Sequence, residues 1–439
     1  MDAEHIMNPV ASTPSSLMKA IGPGLLFAGA AIGVSHLVQS TKAGALYGLG
    51  LFGIVLVANL TKYPGLSFGS RYTNGTGLSL LESYRRQGIW TLVVFAALTL
   101  GTMFTVAAAV TLVTAAILNQ LVLTPLFGVE QLQTGAIVLF AIIALCLKTG
   151  GFLWLDKGIK VLLGTMAALT FAATAMVLPE LDLSTVSLTL PSNAMDVAAI
   201  GFVVALAGWM PAPMDISVWN SMWALAKQEQ TGRTATAQET RFDFNLGFAL
   251  CVLLALCFMI LGTVVMHQNG VEPASTGVGM AKQILSLFTE TLGPWSLPIV
   301  GSAALAVMFS TTLTVLDAFP RVLVVLVERF QSPESPGEAA RDFSKEGRYW
   351  IAWTLLVLGS LVLMQFFMKN LGQMVDLATT LSFVTTPILA LFNHRAMHAR
   401  EVPSEFRPSS AMTGFSIGCI VFLSGFAAFY LWSRFVLPA

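Results

Sequence analysis

The run Gly208-Trp209-Met210-Pro211-Ala212-Pro213 lies inside an apolar stretch covering residues 196–224, which is long enough to cross a bilayer. Pro211 and Pro213 each remove a backbone donor and push the preceding residue out of helical geometry, so a helix entering this stretch is expected to break within it. Lipid offers nothing to the carbonyl and N–H groups freed at that depth, and a break is tolerated only where protein or a water-filled cavity covers it. A simple proline kink is the plain alternative. A second interruption, Gly33-Val34-Ser35-His36, falls in the first apolar stretch, 21–41, five spans earlier. Discontinuous helices at corresponding places in two halves of a chain mark inverted-repeat transporters and point to the substrate site.

The rest of the chain fits a membrane bundle. Of 439 residues, 55% are hydrophobic and 10% charged, whereas soluble domains carry about 25% charged residues. Further apolar spans cover residues 45–68, 90–118, 132–149, 156–178, 243–267, 295–328, 349–368, 374–393 and 411–435, about eleven in all with the two above. Arg71, Arg85, Arg86, Arg233, Arg329 and Arg348 fall in loops on one side, against only Lys42, Lys282, Lys369 and Arg434 on the other. By the positive-inside rule the N-terminus is cytoplasmic and the C-terminus outside, as expected for a bacterial inner membrane. The expected organisation is a disordered tail 1–20, a first five-helix repeat 21–193, a second repeat 194–393 with a cytoplasmic linker at 331–346, and a loop with one extra helix at 394–439. Cys146, Cys251, Cys257 and Cys419 lie in apolar runs with no paired spacing, and read as small packing residues.

Several local words resemble the Nramp family of metal-ion transporters. Gly22-Pro23-Gly24, Ile32 and Ala43-Gly44-Ala45-Leu46-Tyr47-Gly48 look like that family's first helix and the turn after it. Asn59, and Thr76-Gly77-Leu78 leading to Glu82, look like the segment that follows. Ala207-Gly208-Trp209-Met210-Pro211 is similar to the family's A-x-x-M-P run. The resemblance implies an all-α LeuT-like 5+5 inverted repeat with spans one and six broken, and transport of a metal ion. It also implies ligands: Met210, the backbone carbonyl of Ala207, and the position of His36, where the family has Asn. The departures are specific. The family's D-P-G-N is here Gly33-Val34-Ser35-His36, so its metal-binding Asp is Gly33, and its M-P-H is here Met210-Pro211-Ala212. Between Trp90 and Leu118 there is no acidic residue, where the family often carries a proton-pathway Glu.

Loss of the Asp removes the opposing charge that a divalent ion needs on leaving water. The nearest substitute is Asp215, five residues beyond Met210. On an unbroken helix the two point about 140° apart, but the proline break lifts that constraint, so Asp215 either turns to the substrate or caps the second half-helix. Ser35 and His36 are further candidate contacts, and an ionisable group at an intramembrane break is a functional candidate by default. Lys62, Asp317 and Asp376 are candidates for coupling, with Lys62 expected to pair with Asp317 or Asp376 or to reach the cytoplasmic face, and Arg321 expected to snorkel there.

These residues predict alternating-access transport of a metal ion, possible proton coupling, and the lipid bilayer as the surrounding partner. A transporter of a small non-metal solute, or a sensor that kept the fold and lost transport, are the alternatives. With zero formal net charge the chain offers nothing to nucleic acid. No H-E-x-x-H or nucleotide-binding loop appears, so neither an enzyme nor a cofactor is expected.

Overall fold

The computed structural model describes residues 22–149, 152–189, 197–331, 342–367 and 370–436. The tail 1–20 and most of the linker expected at 331–346 lie outside the described residues. Every described element is helical. The first span is split into α1 (Pro23–Ala31), an irregular wide-turned segment Ser35–Ser40, and α2 (Thr41–Tyr47). Then come α3 (Phe52–Thr76), the short α4 (Leu80–Gln87), α5 (Ile89–Leu118), α6 (Leu132–Thr149) and α7 (Phe152–Val177). The sixth span is split into α8 (Val197–Trp209) and α9 (Ile216–Thr231). Helices α10 (Ala237–Leu261), α11 (Gly277–Leu292), α12 (Leu297–Gln331), α13 (Gly347–Phe367), α14 (Leu371–Met397) and α15 (Ser410–Val436) complete the bundle.

Among the described residues nine helical segments are long and apolar enough to cross a membrane, before the two shorter half-helices α1 and α8 are considered. This is a multi-pass membrane protein. Both interruptions predicted from sequence are present. Two local readings change. The second span begins at Phe52 and runs to Thr76 where 45–68 was expected, because Gly48, at a φ of 55° that only glycine adopts easily, ends α2. The amphipathic α11 was not anticipated, since a short helix with one polar face gives no spanning-length apolar signal.

Lipid tails are as apolar as leucine, so helices in a bilayer associate through close packing and polar bonds more than through hydrophobic burial. Helix α1 lies on α10, and a Cβ on Gly24 would sit 2.0 Å from the Asp243 carbonyl oxygen, one on Gly247 2.1 Å from that of Gly24. Only two glycines let these backbones meet. Helix α5 packs on α12 and α14, and α9 on α3. Buried hydroxyls add cross-links: Thr114 and Thr312 share a 2.7 Å hydrogen bond between α5 and α12 while each also bonds a carbonyl of its own helix.

Candidate transport site

The first break is closed mostly by groups from its own strand of chain. Helix α1 stops at Ile32, whose ψ of 91° is extended. Ser35 Oγ reaches the Ala31 carbonyl at 2.7 Å and His36 Nδ1 at 2.7 Å. His36 Nε2 lies 2.9 Å from the Cys251 carbonyl on α10. A carbonyl only accepts, so Nε2 carries a proton, and the single Ser35 hydroxyl proton serves the Ala31 carbonyl or Nδ1 but not both. Both ring nitrogens of this fully buried histidine are thereby engaged within the protein. A Cβ at Gly33 would lie 2.8 Å from Thr311 Oγ1 on α12, and that hydroxyl sits within 3.4 Å of the Gly29, Ile32 and Val307 carbonyls. Thr311 thus fills the room that a side chain at position 33 would need.

The second break is closed by a charge. Helix α8 ends at Trp209, and its final carbonyls have no partner one turn on, since Pro211 and Pro213 carry no N–H for those of Ala207 and Trp209. Lys62, from the middle of α3, donates to the Gly208 carbonyl at 2.5 Å and the Ala212 carbonyl at 3.0 Å. Its side chain is wholly buried. The pairing expected with Asp317 or Asp376, and the reach to the cytoplasmic face, are therefore corrected: backbone carbonyls at the break hold the ammonium more closely than either aspartate. Asp215, 3% exposed, stands at the N-cap of α9 without bonding the helix's N–H groups, and its charge faces Lys62. Below it, Tyr84 donates to Asn393 at 2.5 Å, and Asn393 donates to the Gly65 carbonyl and to Ser217.

The two breaks meet. Ser35 Oγ lies 3.4 Å from the Pro211 carbonyl, and Ser40 Oγ lies 4.0 Å from Met210 Sδ. Between them is a small cavity of about 20 Å³ for a water-sized sphere, lined by Ala31, Val34 and Ser35 of the first break and Trp209, Pro213 and Ile216 of the second. Val106 and Val110 of α5, Trp219 of α9, and Thr311 and Val315 of α12 complete it. Such a space holds about one water molecule. The sequence-derived candidates divide around it. Ser35 lines the cavity; His36 turns to α10; Ala207 and Met210 pack in an adjoining apolar cluster with Val55, Met259 and Phe383. Among the described residues no three His, Cys, Asp or Glu side chains gather as a metal-holding group. Thr311 is one site residue that sequence missed, along with the apolar Val106, Val110, Trp219 and Val315.

Each half of span one is pinned to a neighbouring helix by a polar contact. At the arginine-rich end the Asp243 carboxylate accepts the Gly22 and Gly24 N–H groups at 2.8 and 2.7 Å, pinning the start of α1 to α10. A polar cavity of about 230 Å³, lined in part by Asn74, Lys227, Arg233 and Asp243, opens there. At the opposite end Lys42 pairs with Asp376 at 2.8 Å, and Gln39 donates to Asp376 and Thr379, pinning the second half of span one to α14. Asp317 forms an ion pair with Arg321 at 2.8 Å and accepts from Tyr349 at 2.7 Å, so Arg321 is paired where simple snorkelling was expected.

A long bundle with two facing broken helices defines a transporter-type membrane protein of the LeuT-like architecture. The family model described as "Natural resistance-associated macrophage protein-like" matches residues 24–433, and the chain belongs to that family, Nramp. An uncharacterised protein of Pasteurella multocida is 31% identical over 425 residues, spanning 96% of this chain and 93% of the relative. Among solved structures, the Eremococcus coleocola manganese transporter in complex with an aromatic bis-isothiourea compound aligns with a TM-score of 0.62 at 14% identity, covering 100% of this chain and 93% of that one. MhsT in complex with L-phenylalanine aligns with a TM-score of 0.65 at 13% identity, over 94% of this chain and 98% of that one. At such identities the two structures show the shared fold and nothing finer.

Proposed function

We propose that this protein is a secondary active transporter working by alternating access, with its solute seated between the two breaks and its arginine-rich end in the cytoplasm. The observation that carries this is the cavity itself. Both breaks line it, and a separate polar contact pins each half of span one to a neighbouring helix. Opening toward the cytoplasm requires parting Asp243 from the Gly22 and Gly24 N–H groups; opening outward requires parting Lys42 from Asp376. One contact breaking at a time is what alternating access demands.

Membership in the family makes a metal ion the first substrate to test. Met210 and the Ala207 carbonyl, left without an i+4 donor by Pro211, are the ligand groups retained, and a thioether selects soft transition metals over Mg²⁺. The lining supports a second reading, a small uncharged solute. Its polar groups are hydroxyls, from Ser35 and Thr311, and no carboxylate is among its residues. A divalent ion there loses hydration without gaining opposing charge.

Proteoliposomes presented in parallel with Mn²⁺, Fe²⁺, Mg²⁺, Cu⁺ and small neutral organic solutes test both readings. Saturable flux of any one, reduced at least tenfold by Val110→Trp, which fills the cavity, is the expected outcome. Metal flux that survives both Met210→Ala and Asp215→Ala would defeat the metal site, and the absence of any saturable flux would defeat the transport reading.

A further inference from the structure

We propose that Lys62 is a resident cation: its ammonium permanently occupies a site for a small monovalent cation built by the carbonyls of the second break, so that the protein needs no dissolved ion there. Four observations meet at this group. The Gly208 and Ala212 carbonyls, 2.5 and 3.0 Å from Nζ, converge on one point, which a helix interior never allows because its carbonyls all point along one axis. Two carbonyl oxygens and a nearby carboxylate, Asp215, make a hard, anionic oxygen environment. The nitrogen is wholly buried and bonds no side chain in the described structure, so it is neither a surface charge nor half of a direct salt bridge. Finally, Lys62 comes from α3, a continuous helix, and spans the gap to the broken one, so the charge is delivered by a rigid element to a discontinuous one.

An ammonium is a compact point charge with three donors, suited to collecting carbonyls that diverge from helical order. Two donors are used on the break; the remaining charge is balanced by Asp215. The ammonium holds the second break open as a break, since the Gly208 carbonyl is bonded to α3 where a continuous helix would give it the Ala212 N–H. Lys62 is on this account a positioning residue that sets one wall of the cavity, Trp209 to Pro213, without touching the solute.

The inference rests on the transport reading only for its flux measurement; its first measurement is independent of any substrate. Full-length wild type, Lys62→Ala, Lys62→Met and, as a surface control, Lys282→Met are reconstituted in lipid nanodiscs. Each is melted in methylammonium chloride and in choline chloride at equal ionic strength. Methylammonium fits the space that Lys62→Ala vacates, whereas choline is too large. Lys62→Ala is expected to melt well below wild type and to recover at least half the loss in methylammonium and none in choline. Lys62→Met fills the same volume without charge and is expected to recover in neither; wild type and Lys282→Met are expected to be indifferent to both salts. Once a transported solute is identified, its flux is expected to follow the same pattern.

Wild-type melting of Lys62→Met, or recovery of Lys62→Ala that is equal in the two salts or absent in both, overturns the proposal. If Lys62→Ala does not survive purification, extraction in methylammonium and in choline replaces melting: a monodisperse protein in methylammonium alone supports the site, and one in neither overturns it. Failure of the wild type to transport anything would sink the transport reading and leave the melting result standing.

Discussion

The two breaks solve one problem in opposite ways. In the first, neutral groups do the work: Ser35, His36 and Thr311 hydroxyl and ring nitrogens meet nearby carbonyls, and no formal charge is involved. In the second, prolines strip the donors from the chain and an ammonium from another helix replaces them. The difference teaches where rigidity and adaptability sit. A break held by a buried charge is fixed as long as its counter-charge stays, because an ion left alone in a low-dielectric interior is costly. A break held by hydroxyls and a histidine rearranges at the cost of ordinary hydrogen bonds, about 1 kcal/mol each. The first half of span one, held at its start by Asp243 and at its end by the neutral Thr311 hydroxyl, is therefore the element expected to move.

The largest predicted effect breaks the charged side of this comparison. Asp215→Asn leaves the buried Lys62 ammonium with backbone carbonyls alone, and is expected to lower the melting temperature more than any variant below. The double variant Lys62→Met with Asp215→Asn is expected to be more stable than Asp215→Asn alone, which thermal melting in nanodiscs resolves. Next in size is Gly33→Asp, which places a side chain on Thr311 and is expected to cost about 1–3 kcal/mol by overpacking. Thr311→Ala combined with Gly33→Asp is expected to relieve that cost and to create Mn²⁺ binding measurable by calorimetry that neither single variant matches. This pair sharpens the comparison by giving the neutral break a charge of its own.

Smaller effects are expected at the ends. His36→Gln retains one donor and one acceptor, and is expected to cost no more than about 1–2 kcal/mol, well below Asp215→Asn; a larger loss would mean that the first break is no softer than the second. At the arginine-rich end Glu82, between spans, is pushed up by burial, but hydrogen bonds from Arg85 and Arg86 and the charge of Arg329 outweigh this and hold its carboxyl below the ordinary value. A lowered folded-state pKa contributes stability above the unfolded value of about 4.3 that is lost as pH falls through the folded one. Glu82→Gln is expected to flatten melting temperature against pH below that point, and leave the difference between the two breaks untouched.

Much of this architecture was legible in sequence because proline acts locally: Pro211 and Pro213 remove two donors within one turn, whereas the single Pro64, Pro320 and Pro387 leave α3, α12 and α14 unbroken. Lys62 was conspicuous as a charge in an apolar span, yet its partners were not, since backbone carbonyls carry no residue-specific letter. Asp215 was expected either to meet the solute or to cap α9, and tertiary packing instead set it opposite the lysine. Thr311 was unreadable for a different reason. A threonine in an apolar helix ordinarily bonds its own preceding turn, as this one does at Val307, and only the fold shows that it also replaces the missing side chain at Gly33.

The central claim is that the space between the breaks opens to each side of the membrane in turn. Val110 faces that space from the otherwise continuous α5. In a background lacking the four native cysteines, Val110→Cys can be challenged with a small membrane-impermeant thiol reagent from either face of oriented proteoliposomes. Labelling from both faces is predicted, with disulfide locking of the arginine-rich end by Gly22→Cys and Lys227→Cys, where position 22 has room for a side chain beside residue 227, abolishing it from that face alone. Equal labelling from both faces after that lock, or none from either face before it, would contradict the account.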